Sequence, residues 1–354
     1  MPTSFYHALS HWFPLKHEHH WVLGAVIQTR GSVYRKSGAL MLLSDAGHQL
    51  GLLSGGCLEG DLLLQARKVI ALGKSRQVTY DATDEGSLAW RLGIGCGGAA
   101  EILLHPCHAD NQFLALDQVF EQLRTQQACQ YQLAVDHDSA VVTTCPKAFH
   151  QRQAGKITNR NSGDHLVTLI NPLPHLLILG SGVDMVPLCN LALAMGWRVT
   201  LADQRLSQQR RDNFPSGVEL LQTGVTDLDT ALLQQIDGVI VAHHNVVLDA
   251  AALQGLRNSG ASYIGLLGPP QRKREVLAAA GLSEHQLPVP VAGPMGLALG
   301  GDLPESIALS VLAECHAVIH GSDATALSEA YAIDPAQESS GPRPNLGTFN
   351  AAGY

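Results

Sequence analysis

Cys57 and Cys96 stand in the surroundings of this chain that most invite chemistry. Cys57 lies in SGGCLEGD, residues 54–61, behind Gly55 and Gly56 and ahead of Glu59 and Asp61. Cys96 follows 39 positions later in GIGCGG, flanked by Gly93, Gly95, Gly97 and Gly98. Glycine removes the bulk that would shield a sulfur and lets backbone approach a ligand closely. Apolar spacing from Leu58 to Leu72 predicts a helix with Gly73 as its C-cap. Cys57 then sits at a helix N-terminus, which favours thiolate, while Glu59 opposes a second negative charge. The competing role for a free cysteine is a small buried hydrophobe, and it is assigned to the cysteines at 107, 129, 145, 189 and 315. Neither Cys57 nor Cys96 has a partner two to four positions away, which argues against structural zinc. Seven cysteines without a CxxC or CxxxxC pair fit free thiols in a reducing cytoplasm.

A second constellation is ILGSGVDM, with Gly180 and Gly182 between a predicted strand and a predicted helix. Asp203 follows 21 residues after Gly182, at the end of the next predicted strand. That context is the phosphate loop of a Rossmann-type fold, with Asp203 where a ribose hydroxyl would be held. Met185 replaces the third glycine, and Asp184 places a negative charge in the first helical turn, where it repels an anion. The topology is expected; tight nicotinamide dinucleotide binding is not, and NAD(P) stays a doubtful ligand. His243 and His244 end a further predicted strand, at the edge where open α/β sheets place ligands; one of them, His243, is the candidate.

The elements that must position these residues fall into two classes. Strands at 21–28, 39–44, 49–54, 76–81 and 99–106, the last ended by Pro106, surround the 58–72 helix and predict an α+β domain over 1–108. From 174 the pattern alternates strand and helix, predicting a parallel-sheet, Rossmann-like domain over 174–320. Residues 109–173 are read as an intermediate segment and linker, with a polar excursion at 146–165. Residues 321–354, rich in Ser, Pro, Asn and Gly, are read as a loosely ordered tail. A helix start is expected at Asp302 and Glu305, at capping-box spacing. The fold class is thus α/β, an α+β domain followed by a Rossmann-like one.

A net charge of −8 argues against nucleic acid as a partner, because phosphate contacts need clustered cations. No secretory signal and no apolar run of membrane-spanning length is visible, so the location expected is cytoplasmic, without a membrane. HEHH at 17–20 is read as a solvated segment, and QRKRE at 271–275 as a solvated helix face.

Together these motifs resemble the XdhC/CoxI (CoxF) maturation factors of molybdenum hydroxylases such as xanthine dehydrogenase, and within them an XdhC-like subgroup. The likeness runs through TRGSVYRKSGALMLL, GLLSGGCLEGDLLLQARKVIALGK and GIGCGGAAEILLHP in the first domain. In the second it runs through LLILGSGVDMVPLCNLALAMGWRVTLADQR, YIGLLGPPQRKREVL and GPMGLALGGDLPESIALSVLAE. The resemblance implies an accessory protein that binds the molybdenum cofactor, supports its sulfuration and delivers it to an apo molybdenum hydroxylase. It implies a chaperone without turnover of its own, working beside a cysteine desulfurase, with a homodimer as an open alternative. Carried onto this chain, Cys57 and Cys96 become contacts to molybdenum, with Gly55, Gly56 and Glu59 around the first. Arg30 and Arg35, with Gly31 and Gly38 in the first loop, become holders of the pterin phosphate. Val183, Asp184 and Met185 depart from the family's usual residues, which weakens a nucleotide role for Gly180, Gly182, Asp203 and His243. The competing reading is a Rossmann-type NAD(P)-dependent oxidoreductase with a redox-active cysteine.

Overall fold

The computed structural model of the chain describes residues 4–82, 97–150, 155–160 and 163–326. Cys96, and the expected tail from 327 onward, lie outside the described residues. The first sheet is antiparallel, with strand order β3-β2-β1-β5-β4. Its strands are β1 (Trp21–Arg30), β2 (Leu40–Ser44), β3 (Gln49–Gly51), β4 (Arg76–Asp81) and β5 (Ala99–Cys107). The central strand β1 is buried over its first seven residues because both faces of the sheet are covered. Period-2 alternation sends Val22, Met41, Leu43, Ile102 and Leu104 to one face. There Leu58, Leu62, Ala66 and Val69 pack against them from α2 (Glu59–Leu72) and its N-cap, at helical spacing. Gly73 ends α2 in the left-handed conformation, φ 60°, its N–H donating to the Val69 carbonyl.

Trp21, Leu23, Leu42 and Leu103 line the opposite face, where they meet α1 (Phe5–Leu15), α3 (Leu116–Arg124) and a second sheet. That sheet, β7-β6-β9-β8, is antiparallel and built from β6 (Ala128–Ala134), β7 (Ala140–Cys145), β8 (Lys156–Arg160) and β9 (Gly163–Ile170). Residues 109–173, read from sequence as an intermediate segment and linker, therefore contribute Tyr131, Leu133 and Leu166 to the core around Trp21 and Leu103.

The third sheet is parallel, in the order β12-β11-β10-β13-β14-β15. It comprises β10 (His175–Leu179), β11 (Arg198–Ala202), β12 (Glu219–Leu221), β13 (Gly238–Val241), β14 (Tyr263–Leu266) and β15 (Val291–Ala292). Counted along the chain this is 3-2-1-4-5-6, the Rossmann order, which reverses direction between β10 and β13. One face is covered by α4 (Met185–Ala194) and α7 (Pro304–His320) through Leu188, Ala192, Val311 and Leu312. The other is covered by α5 (Val246–Gly255) and α6 (Pro270–Ala280) through Ala252, Leu253 and Val276. The parallel unit is latched to the antiparallel one by Lys147, whose Nζ lies 3.0 Å from Asp237 Oδ1 and donates to the Gln235 carbonyl.

Two expectations are corrected. Pro106 does not end β5: it pairs with Val22, beyond Leu104, the last residue with a β4 partner, so it costs no bond to a second neighbour. The Asp302–Glu305 capping box is not formed, since α7 starts one residue later, with Leu303 as N-cap and Pro304 in the first turn. No described helix is long and apolar enough to cross a membrane.

Candidate functional site

The Cys57 loop is held from beneath by two side chains. Glu59, 7% exposed, accepts the Ser54 N–H at 2.9 Å, the Leu58 N–H at 3.2 Å and the Ser54 hydroxyl. The Ser54 Oγ in turn accepts the N–H groups of Gly56 (3.2 Å) and Leu58 (3.1 Å). Charge-assisted bonds from backbone to a buried carboxylate fix a turn firmly. Glu59, expected around the cysteine, braces the loop through these bonds. Cys57 rides on top, exposed, while Cys107, Cys129, Cys189 and Cys315 are buried and Cys145 is intermediate. Burial pushes the Cys129 and Cys189 thiols up to about 12, so they are inert packing groups.

Around Cys57 the surface forms a small hollow walled by Tyr34, Arg35, Leu53, Tyr80 and Gly98. A Cβ on Gly55 would meet nothing nearer than the Tyr34 ring at 3.7 Å, and one on Gly56 would meet nothing within 4 Å. These two glycines do leave room above the loop. Gly98, from the second cysteine motif, does not: a Cβ there would collide with the Arg30 and Ser32 carbonyls. Its missing side chain lets the first loop lie against the start of β5, which brings Gly98 to the wall of the Cys57 hollow. Arg35 is partly buried, and its guanidinium forms no ion pair or hydrogen bond with any described residue. Arg30, exposed at the end of β1, likewise has no ion pair among the described residues. Tyr80, which sequence reasoning passed over, is fixed by its hydroxyl donating to Asp61 at 2.6 Å. Burial, reinforced by Asp61, pushes that phenol well above its ordinary range.

The glycine loop after β10 lies where the strand order reverses, yet the chain fills much of it. Gly180, φ 128°, is required because a Cβ would collide with the Ala242 carbonyl of the neighbouring strand. Asp203 is fully buried: it accepts from Ser181 N–H (2.9 Å) and Oγ (2.8 Å), and from the Arg205 backbone and guanidinium. Burial alone would raise its carboxyl; the Arg205 and Ser181 bonds outweigh it and hold the group at about 2. Neither oxygen is offered to a ribose, because Ser181 and Arg205 occupy them. His243 is likewise turned inward, its Nδ1 3.1 Å from Asp249 Oδ1, and Asp249 is held from its other side by Arg272 at 2.6 Å. The histidine at the mouth of the loop is His244, exposed, with a left-handed backbone (φ 55°) and Nε2 3.0 Å from Asp184 Oδ2. His243, the residue expected from sequence, thus faces into the fold, and its neighbour His244 faces the mouth of the loop. Met185 sits in the core beside Leu188, taking the place a third glycine would leave open.

Among the described residues, no group of three or more His, Cys, Asp and Glu is arranged to hold a metal ion. His20 of the HEHH stretch pairs with Asp45 at 2.8 Å. Within QRKRE, Arg272 is bound to Asp249 and Lys273 to Glu284, so two of the three cations serve the fold.

Comparison with known proteins agrees with this layout. The family description "XdhC and CoxI family" matches residues 15–81, and "XdhC Rossmann domain" matches residues 176–315. A Bacillus subtilis (strain 168) protein, named as a probable xanthine dehydrogenase subunit, is 30% identical over 327 residues, covering 83% of this chain and 91% of that protein. The molybdenum cofactor insertion chaperone PaoD of Escherichia coli (strain K12) is 24% identical over 300 residues, covering 84% and 83%. The crystal structure of a xanthine dehydrogenase from Bacillus halodurans superposes with a TM-score of 0.71 at 26% identity, covering 90% of this chain and 98% of that one.

Proposed function

The chain belongs to the XdhC and CoxI family, and on that premise we propose that it is a maturation factor of a molybdenum hydroxylase of the xanthine dehydrogenase type. Its cargo is the molybdenum cofactor, which it binds, presents for sulfuration and passes to the apo-enzyme in the cytoplasm. The observation that carries this reading is the exposed Cys57, raised on a braced glycine loop beside Arg35, which has no ion pair among the described residues. A thiolate is a soft donor suited to a metal already held by dithiolene sulfur. Arg35 and Arg30 supply the planar forks that suit phosphate oxygens. Gly55 and Gly56 leave the space, and Glu59 with Ser54 keeps the loop from collapsing into it. The chain itself transfers no sulfur in this account; a cysteine desulfurase does so. An oxidoreductase role is not carried forward, because the glycine loop after β10 spends its acid on Ser181 and Arg205.

The test is co-purification from a host that makes the cofactor, followed by pterin and molybdenum analysis. Near-stoichiometric pterin and metal are expected, with the metal content falling in Cys57→Ala. Absence of both from the wild-type chain would sink the reading.

A further inference from the structure

A second and larger concavity lies between the antiparallel and parallel units, with a volume of about 420 Å³. That is within the range of small-molecule sites. Its walls come from the start of α1, the loop before β2, the 168–174 connection, the end of α4 and the last turns of α7. Among the described residues no aspartate or glutamate lines it, although the chain carries 31 of them and a net charge of −8. The groups able to carry positive charge are Arg35 and the imidazoles of His316 and His320. Those two rings lie 4.2 Å apart on successive turns of α7, and His316 stacks on Trp197 at 6.0 Å with an interplanar angle of 18°. His320 Nδ1 is engaged by the Phe149 carbonyl at 3.2 Å, whereas the His316 ring has no hydrogen-bond partner among the described residues. Burial, with His320 adding, lowers the His316 pKa, and an incoming anion would offset both effects. Tyr6 and Phe149 add further aromatic wall. Arg35 belongs to this cleft and to the Cys57 hollow alike.

We propose that the cleft between the two units binds a phosphorylated planar heterocycle, with Arg35, His316 and His320 receiving the phosphate and the aromatic wall receiving the ring. Resting on the function proposed above, this places the pterin phosphate of the cargo in the cleft, which Arg35 lines and Arg30 does not, with Arg35 shared between the organic half and the Cys57 loop. An acid-free lining, with Arg35 on one wall and the imidazole pair on another, spares a dianion like-charge repulsion. The ring class follows from the flat surfaces of Trp197, Tyr6 and Phe149.

The probe is a stable phosphorylated pterin, titrated into the full-length chain by calorimetry. Micromolar binding is expected. It should weaken at least about tenfold, roughly 1.4 kcal/mol, in the double variant His316→Ala/His320→Ala. Ala194→Trp, which fills the cleft from its exposed rim and leaves every polar group in place, should weaken it comparably. Cys57→Ala should leave it unchanged, since this probe carries no metal. Wild-type affinity in both cleft variants would overturn the inference, as would failure of the wild-type chain to bind the probe while it still co-purifies with cofactor. Cleft-dependent binding of the probe in a chain that never retains cofactor would uphold the cleft and refute the maturation role instead.

Discussion

At Gly55 and Gly56 an added Cβ would meet no atom nearer than 3.7 Å, whereas at Gly180 it would collide with the Ala242 carbonyl. The two glycine loops of this chain look alike in sequence and are opposites in space. Around Cys57, the buried Glu59 and Ser54 spend their bonds on the loop backbone, and the outward face stays open. Around Gly182, the comparable acids are turned on the chain itself: Asp203 on Ser181 and Arg205, Asp184 on His244. A glycine-rich turn therefore reports close approach, but only its neighbours decide whether a ligand or the chain's own backbone approaches.

The contrast is sharpened most by removing the two buried acids. Asp203→Ala leaves Arg205 and the Ser181 N–H without their partner, and should cost the parallel unit about 3 kcal/mol in urea unfolding. Cofactor retention by the folded fraction should be unaffected. Glu59→Ala strips the Cys57 loop of its brace and should cost about 2 kcal/mol, with cofactor retention lost in the folded fraction. Equal retention by the two variants would break the comparison.

Acid should strike the parallel unit through His175. Burial, with Arg198 and Lys147 adding, lowers its pKa to about 3 in the folded chain. A depressed histidine contributes full stability above its ordinary value and loses it as pH falls below that value toward the folded one. Between pH 6 and pH 4 the loss should be on the order of 2 kcal/mol. His175→Gln should flatten that dependence in a pH series of unfolding curves; Asp203 adds its own loss only below about pH 4. The smallest effect is expected at the mouth of the glycine loop. The Asp184–His244 pair is largely exposed, so Asp184→Ala should change stability by less than about 1 kcal/mol. Calorimetry should find no micromolar NAD(H) affinity in the wild-type chain, and clear binding there would reopen the dinucleotide reading.

Much of this was legible from residue patterns. The Leu58, Leu62, Ala66 and Val69 spacing announces α2, Gly73 its end, and the alternation from residue 174 the parallel sheet. What escaped was set by tertiary context. β8 falls in the 146–165 stretch read as a polar excursion because it lies at the sheet edge, and β7 buries no residue fully. α1 is masked by the histidines and serine scattered through FYHALSHWFPL and by Pro14 near its end, although Leu9 and Trp12, a turn apart, mark its buried face. His243 and His244 follow the end of β13, and the left-handed backbone at His244 turns it outward while His243 stays buried. The cleft between the units draws its walls from residues more than 300 positions apart, so no local motif announces it.

The most direct measurement is molybdenum and pterin content, per folded chain, of wild type, Cys57→Ala and Gly182→Val purified side by side from a cofactor-making host. The account expects Cys57→Ala to lose molybdenum and Gly182→Val to retain both components at the wild-type level. Loss of cofactor in Gly182→Val with retention in Cys57→Ala would contradict it, and would move the cargo to the other glycine loop.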